Sequence, residues 1–204
     1  MLLAMAACRQ KKAGFRAAEE SATELKPAIL LGVTPVAQER TNWCWAASGQ
    51  MVMSYLGVRV SQCQQAIRQF SRPGEAPLQC CDPDQCNWTG YPEYSKFGLN
   101  EKLETTPPLT WDRLRYQLSV LKNPVAFTWK WKWQSFEHMM VAVGYNETSD
   151  RTRWVYVRDP LGLQAEDPQP YAITYEAFAG GEGWDYVHGR DYIDVRPPVV
   201  AVGR

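Results

Sequence analysis

The sequence predicts an α+β fold in which an N-terminal helical half packs on an antiparallel β-sheet half. Three observations lead to this prediction. Apolar residues recur at helical spacing before residue 122, they alternate with period two after residue 124, and the helix-like segments precede the strand-like ones. Helices followed by strands are typical of α+β architecture. We therefore expect the functional site at the seam between the two halves.

Length and charge limit what the chain can be. Its 204 residues suit one domain of ordinary size with a complete hydrophobic core. Its 22 lysines and arginines balance 22 aspartates and glutamates, and no block of like charge stands out. Nothing in this balance attracts nucleic acid or an anionic membrane surface, and no apolar run is long enough to span a bilayer. We therefore expect a folded globular domain that binds no nucleic acid.

The first 26 residues differ in character from the rest of the chain. Met1 to Cys8 form a short apolar run that ends in small residues before a cysteine, and this run resembles the end of a lipoprotein signal. A frayed N-terminal helix is the alternative, because the basic n-region of a signal is missing. Residues 9–26 are charged and Ala-rich, as in a tether. We therefore expect a signal-like segment and tether over residues 1–26, with a lipid anchor at Cys8, and one domain over residues 27–204.

The six cysteines carry information about the compartment. They are Cys8, Cys44, Cys63, Cys80, Cys81 and Cys86. If the first accepts a lipid and the second is a free thiol, the other four can form two disulfides, which makes residues 63–92 a disulfide-stapled insertion. A bridge between the adjacent Cys80 and Cys81 is sterically poor, so Cys63 would pair with one of these and Cys86 with the other. The sequence leaves that choice open, and a four-thiolate zinc site without the usual Cys-x2-Cys spacing is the alternative.

This cysteine usage predicts an exported protein. Disulfides persist in oxidising compartments, and a lipid-accepting cysteine also implies export. The location would be the periplasm, the outer membrane as a lipoprotein, or the external medium.

Three helices are predicted in the first half. Residues 44–56 carry apolar side chains at spacings of three and four, and Gly57 would end this helix. Ser61 can cap a second helix over residues 62–70, after which residues 71–92 are irregular and rich in Pro, Gly and Cys. Thr110 can cap a third helix over residues 111–121.

Four strands are predicted in the second half. Residues 125–133 alternate strictly, with Val, Phe and three Trp on one face, which we interpret as sheet core rather than a substrate platform. Residues 139–145 and 153–157 follow as two more strands separated by a turn-rich segment, and residues 192–195 are the last.

Cys44 stands at the start of the first predicted helix. A helix N-terminus presents unpaired N–H groups and positive partial charge, and both favour a thiolate over a thiol. The thiolate is the nucleophilic form of cysteine. We therefore interpret Cys44 as a nucleophile, against the alternative of an inert buried thiol.

A cysteine nucleophile needs a base, and the chain has only two histidines, His138 and His188. His138 heads the predicted strand over residues 139–145, where it can be held against the end of the Cys44 helix. His188 is interpreted as a turn residue. Asp159 follows the neighbouring strand and can orient the His138 ring by accepting its second N–H. The alternatives are a core histidine at position 138 and a turn former at Asp159.

One more polar residue precedes Cys44 by six positions. Gln38 has a carboxamide whose N–H can bind the carbonyl oxygen of a group under attack by Cys44. An ordinary polar loop residue is the alternative. No pattern in the sequence indicates a cofactor or a catalytic metal.

These residues together resemble a papain-like cysteine peptidase, closest to the compact bacterial members similar to bacteriocin-processing peptidases and secreted effector proteases. The resemblance covers about residues 33–195. It rests on Gln38, on Cys-Trp-Ala-Ala-Ser at residues 44–48, on His138 before a Met-Val-Ala-Val-Gly-Tyr strand, and on Asp159 before Pro160. Two features depart from the family pattern: Glu137 stands where relatives often have a small residue, and the cysteine-rich insertion lies outside the minimal fold.

The resemblance implies a papain-like fold and a function. Cys44 would be the nucleophile, His138 the general base and acid, Asp159 the orienting residue and Gln38 the oxyanion donor. The substrate would be a protein or peptide, cleaved through an acyl-enzyme, and an inhibitor or immunity protein could be a partner. The alternatives are a peptidoglycan amidase, an acyltransferase, or an inactive binding module that uses exposed Trp residues.

Overall fold

The computed structural model describes residues 27–76, 78–79, 83–133, 135–161 and 169–198. The strands are β1 (Ile29–Leu30), β2 (Asn100–Thr105), β3 (Val125–Trp131), β4 (Glu137–Glu147), β5 (Arg153–Arg158), β6 (Tyr171–Thr174) and β7 (Tyr186–Arg196). The helices are α1 (Cys44–Tyr55), α2 (Gln62–Phe70), α3 (Pro83–Cys86), α4 (Trp111–Arg115) and α5 (Tyr175–Ala179). A 3-10 turn covers Tyr94–Phe97, and a π-helical turn over Tyr116–Val120 continues α4. This mixed architecture confirms the predicted α+β class.

The strands form one antiparallel sheet in the order β2-β7-β3-β4-β5-β6, and β1 pairs with β4. β4 is central to the site. Residue pairs 125/142 to 130/137 join it to β3, and pairs 141/158 to 147/153 join it to β5. The first residues of β4 therefore extend past the end of β5, which leaves room beside them for the segment that follows β5.

α1 is the central helix. Eight of its 12 residues are buried, and it packs against β4 and β3 on one side and α2 on another. A helix that is apolar on nearly all sides belongs in a core rather than on a surface. Gln65 of α2 secures the helix pair, because its amide donates a 2.7 Å hydrogen bond to the carbonyl of Ala46. Packing against the sheet and the hydrogen bond from Gln65 thus hold the N-terminal turn of α1 in place.

The sequence located the first two long helices well. α1 begins at Cys44 and α2 covers residues 62–70, as predicted. Ser61 caps α2 in a capping box, accepting from the Gln64 N–H at 3.1 Å while the Gln64 side chain accepts from the Ser61 N–H at 2.8 Å. The third predicted helix divides into α4 and the π-helical turn, with Thr110 as its cap.

The period-two alternation of residue types in β3 does not correspond to one solvent-exposed face and one buried face. The first five residues of the strand are all buried. Phe127 and Trp129 contact Phe178 of α5, through ring centroids 4.8 Å apart and a 3.1 Å indole hydrogen bond to its carbonyl. With α1 also packed on β3, the sheet is covered on both faces here. The Trp residues are sheet core at Trp129, as predicted, whereas Trp133 is 53% exposed.

His188 lies in a strand and not in the predicted turn. β7 runs from Tyr186 to Arg196, longer than the predicted residues 192–195, and buries His188 to 2% exposure. The ring contacts the Phe178 carbonyl through Nδ1 at 2.9 Å, and its Nε2 lies 2.9 Å from Oδ2 of Asp191. His188 is therefore a core residue.

Of the cysteines in the predicted insertion, Cys86 is a buried free thiol in the structure. Its two candidate partners, Cys80 and Cys81, lie outside the described residues, as does Cys8. The disulfide pairing therefore stays a prediction. None of the described helices has the length and apolarity to cross a membrane.

Candidate active site

Cys44 is a half-buried free thiol at the first residue of α1. The N-cap residue is Trp43, and no side chain caps this end of the helix. The first N–H groups of α1 consequently lack intrahelical partners and point their positive partial charge toward the thiol region. This confirms the predicted place of Cys44 at a helix N-terminus.

The segment just before Cys44 is tied to the predicted insertion. The Asn42 N–H donates to Oδ1 of Asn87 at 3.0 Å, and the Asn42 side-chain amide donates to the Asn87 carbonyl at 2.7 Å. The indole N–H groups of Trp43 and Trp45 donate to the carbonyls of Cys86 at 2.7 Å and Trp88 at 3.1 Å. Residues 86–88, within the predicted insertion, therefore hold the segment around Cys44 in place.

His138 joins Cys44 to Asp159. Its Nε2 lies 2.8 Å from Oδ1 of Asp159, and the Cys44 thiol is near enough to raise the pKa of the ring. The structure thus brings together the three side chains that the sequence placed far apart, in the order thiol, imidazole, carboxylate.

The charges around His138 favour its protonated form. Burial by itself lowers the pKa of His138, but the negative charge of Asp159 and the hydrogen bonds to Asp159 and Cys44 raise it. The net result is a pKa well above the ordinary histidine range. An imidazolium next to a cysteine stabilises the thiolate.

Asp159 is held by its own loop and by the loop of Gln38. The N–H of Leu161 donates to Oδ1 of Asp159 at 2.8 Å, and the N–H of Gln38 donates to the carbonyl of Pro160 at 3.0 Å. The loop that leads to Cys44 and the loop that carries Asp159 are therefore joined directly.

The Gln38 side chain is engaged differently from the sequence expectation. Its amide nitrogen donates to the carbonyls of Arg40 at 2.8 Å and Thr41 at 2.9 Å, while its Oε1 is buried and has no hydrogen-bond partner among the described residues. Both N–H groups thus have partners inside the loop. To bind a developing oxyanion, one of them would have to exchange a carbonyl for the substrate.

A small cavity of about 60 Å³ opens beside Cys44. Apolar side chains, among them Trp45, Tyr91, Phe136 and Met139, form much of its lining. Glu137 also lines it, and this carboxylate contacts Thr128 and Arg190. Glu137, which departs from the family pattern, therefore forms part of the wall of the cavity next to Cys44.

Sequence reasoning missed two supports of this site. Ser48, one turn after Cys44, is buried, and its hydroxyl donates to the carbonyl of Met139 at 3.2 Å. Asn87 anchors Asn42 as described above. The two polar residues Thr41 and Asn42 just before α1 were a signal of a hydrogen-bonded segment. Their partner, Asn87, is distant in sequence.

The fold and this cluster define a class of protein. A helix that presents a cysteine to a histidine on a neighbouring antiparallel sheet, with an aspartate behind the histidine, is the arrangement of papain-like cysteine peptidases. The model of the Peptidase_C39 like family matches residues 30–190, and the chain belongs to this family. The membership points to a cysteine peptidase. No curated protein matches the chain. Among the residues described, no group of three or more His, Cys, Asp or Glu side chains is arranged to hold a metal ion.

Proposed function

We propose that the protein is a cysteine peptidase that cleaves peptide bonds with Cys44 as nucleophile, His138 as general base and acid, and Asp159 as the residue that orients His138. The observation that carries this proposal is the position of His138 next to both Cys44 and Asp159, with 2.8 Å between Nε2 of His138 and Oδ1 of Asp159. Family membership supports the same activity at a coarser level.

The reaction proceeds through a thioester. The Cys44 thiolate attacks the peptide carbonyl carbon, forming a C–S bond while the carbonyl electron pair moves onto oxygen. As the C=O bond re-forms, the amine leaves with the proton of the His138 imidazolium. A water then attacks the thioester, giving a proton to the now neutral His138, and the thiolate departs as the carboxylic acid product is released.

The oxyanion would be stabilised at the start of α1. The uncapped N–H groups there point at charge that develops next to the thiol, and such preorganised donors act mainly on the transition state. We propose that the Gln38 amide supplies a second donor by releasing one of its loop carbonyls when substrate binds.

The test is turnover with variants of the nucleophile. Purified protein is incubated with a peptide library and, separately, with peptidoglycan, and products are identified by mass spectrometry. Cys44→Ala should abolish cleavage, because the nucleophile is lost, whereas Ser54→Ala, at an exposed residue of the same helix, should retain it. Cleavage of peptidoglycan alone would make the protein a cell-wall amidase, and activity that survives Cys44→Ala would reject the mechanism.

Export, the lipid anchor at Cys8 and an inhibitor or immunity partner remain proposals from the sequence. The apolar run before Cys8 and the four cysteines within residues 63–86 favour export and the anchor, whereas the partner follows only from the family resemblance. Palmitate labelling of wild type and Cys8→Ala tests the anchor. Non-reducing peptide mapping of protein recovered from the bacterial envelope tests the two disulfides.

A further inference from the structure

The cavity beside Cys44 has both apolar and polar lining residues. Trp45, Tyr91, Phe136 and Met139 supply apolar walls, and polar groups come from Asn42, Thr89, Thr128, Ser135 and Glu137. The volume of about 60 Å³ holds only about four to six water-sized groups, since each needs roughly 10–15 Å³. A slender side chain therefore suits this cavity better than a bulky aromatic one.

One oxygen of the Glu137 carboxylate accepts hydrogen bonds from the described residues, and the other accepts none from them. Its Oε2 accepts from the Thr128 hydroxyl at 2.9 Å and from Nε of Arg190 at 3.3 Å. Its Oε1 makes no hydrogen bond with any of the residues that the structure describes. The Glu137 side chain is 16% exposed and lines the cavity, so its carboxylate is accessible to a ligand there.

The partners of Glu137 are themselves held in place. The Thr128 hydroxyl donates its only hydrogen to Glu137. It accepts a hydrogen bond from the main-chain N–H of Arg190 at 2.9 Å. The Arg190 guanidinium lies over the Tyr91 ring, 4.0 Å from its centroid. Gly189 allows this close packing, because a Cβ there would collide with Oγ1 of Thr128 and come within 3.2 Å of Oε2 of Glu137.

Oε1 of Glu137 thus offers an acceptor, and Thr128 has no hydrogen left to donate. A ligand group that meets this oxygen must bring its own N–H or O–H, and a charged donor bonds a carboxylate more strongly than a neutral one. The apolar walls suit an aliphatic stem, as long cationic side chains bury their methylene groups and keep the charge at the tip.

We propose that this cavity binds a lysine side chain of the peptide substrate, with the ammonium group donating to Oε1 of Glu137. This inference rests on the proposed peptidase function for its substrate class. Glu137 is then a specificity-determining residue, and Arg190 and Thr128 are positioning residues that hold its carboxylate.

Binding to a protein that cannot turn over tests the inference apart from catalysis. The Cys44→Ala protein is probed with a positional-scanning array of short peptides in which each position in turn is lysine, norleucine or glutamate. Dissociation constants for the best lysine peptide and its norleucine counterpart are then measured by calorimetry. At one position, lysine should bind at least about tenfold more tightly than norleucine, the size of a charge-assisted hydrogen bond.

Two further variants assign that preference to Glu137. In Cys44→Ala with Glu137→Gln the ratio should fall to about threefold or less, because the charge is lost while the shape is kept. In Cys44→Ala with Glu176→Gln the ratio should not change, since Glu176 is an exposed residue of α5. Circular dichroism checks that each variant is folded.

The outcomes separate this inference from the proposed function. The inference is overturned if lysine and norleucine bind equally at every position or if neither binds, and both results are obtained with Glu137 unchanged. It is also overturned if the lysine preference survives Glu137→Gln. Cleavage of peptides by the wild type with no lysine preference leaves the peptidase proposal standing alone. A lysine preference in Cys44→Ala without cleavage by the wild type rejects the peptidase proposal and keeps the lysine-binding cavity.

Discussion

The hydroxyl of Ser48 donates a 3.2 Å hydrogen bond to the main-chain carbonyl of Met139. Ser48 lies one turn beyond Cys44 on α1, and Met139 follows His138 on β4. This buried bond therefore joins the two elements that carry the thiol and the imidazole.

Replacing Ser48 with alanine should weaken the contact between α1 and β4. We expect Ser48→Ala to lower the free energy of unfolding by about 1–2 kcal/mol, because a buried hydrogen bond is lost. It should also lower kcat/KM about tenfold, because small displacements of reacting groups slow catalysis. Urea unfolding and peptide hydrolysis measure both. Ser54→Ala, an exposed serine of the same helix, is the control. An unchanged kcat/KM in Ser48→Ala would limit the bond to a structural role.

Asp159 should control the titration of His138. The pKa of His138 in the folded protein is raised well above the ordinary value of about 6.5, so Asp159→Asn should lower it. Expected results are an alkaline limb of kcat/KM that moves to lower pH, and a fall in kcat of about a hundredfold or more. NMR titration of the two histidine rings measures the first effect directly. Asp112→Asn, at a carboxylate 89% exposed, is the control, and an unmoved His138 titration would contradict the expectation.

The same pKa shift predicts how stability depends on pH. Because the pKa is higher in the folded than in the unfolded protein, the stabilisation by protonated His138 is complete below about pH 6.5. It is lost as the pH rises through the folded-state pKa. The difference in unfolding free energy between wild type and Asp159→Asn should therefore be largest below about pH 6.5 and shrink above it. Urea unfolding across this range measures it, and a difference that grows with pH would show the sign to be wrong.

Gln38→Ala separates an oxyanion donor from a loop residue. We expect kcat to fall on the order of a hundredfold while KM changes by a few fold, because an oxyanion donor acts mainly on charge that forms in the transition state. Steady-state kinetics on one peptide measure both parameters. Thermal unfolding shows how much stability depends on the bonds to Arg40 and Thr41. A higher KM with unchanged kcat would make Gln38 a ground-state contact.

Gly144 is required where β1 meets β4. A Cβ at this residue would collide with the carbonyl oxygen of Ile29 and come within 3.2 Å of two atoms of Leu30. Gly144→Ala should therefore cost about 1–3 kcal/mol in unfolding free energy, as overpacking does. Gly32→Ala is the matched control, because a Cβ there would meet no atom within 4 Å. Equal stability of the two variants in urea would refute the steric argument.

Local patterns in the sequence determined the elements with their own periodicity. The apolar spacing of residues 44–56 gave α1, the cap at Ser61 gave α2, and the alternation after residue 124 gave β3. The same reasoning named Cys44, His138 and Asp159, because few residue types can act as nucleophile, base and orienting acid. It could do so since helix termini and strand ends are positions that a short stretch of chain specifies.

Tertiary structure alone decided the rest. β2 reads Asn-Glu-Lys-Leu-Glu-Thr and has no apolar alternation, so its strand form depends on pairing with β7. His188 is a core residue only because Phe178 and Asp191 meet it. The partners of Gln38, Ser48, Asn42 and Glu137 likewise come from packing. Hydrogen-bond partners across a sheet or between loops are set by three-dimensional proximity, which no local periodicity records.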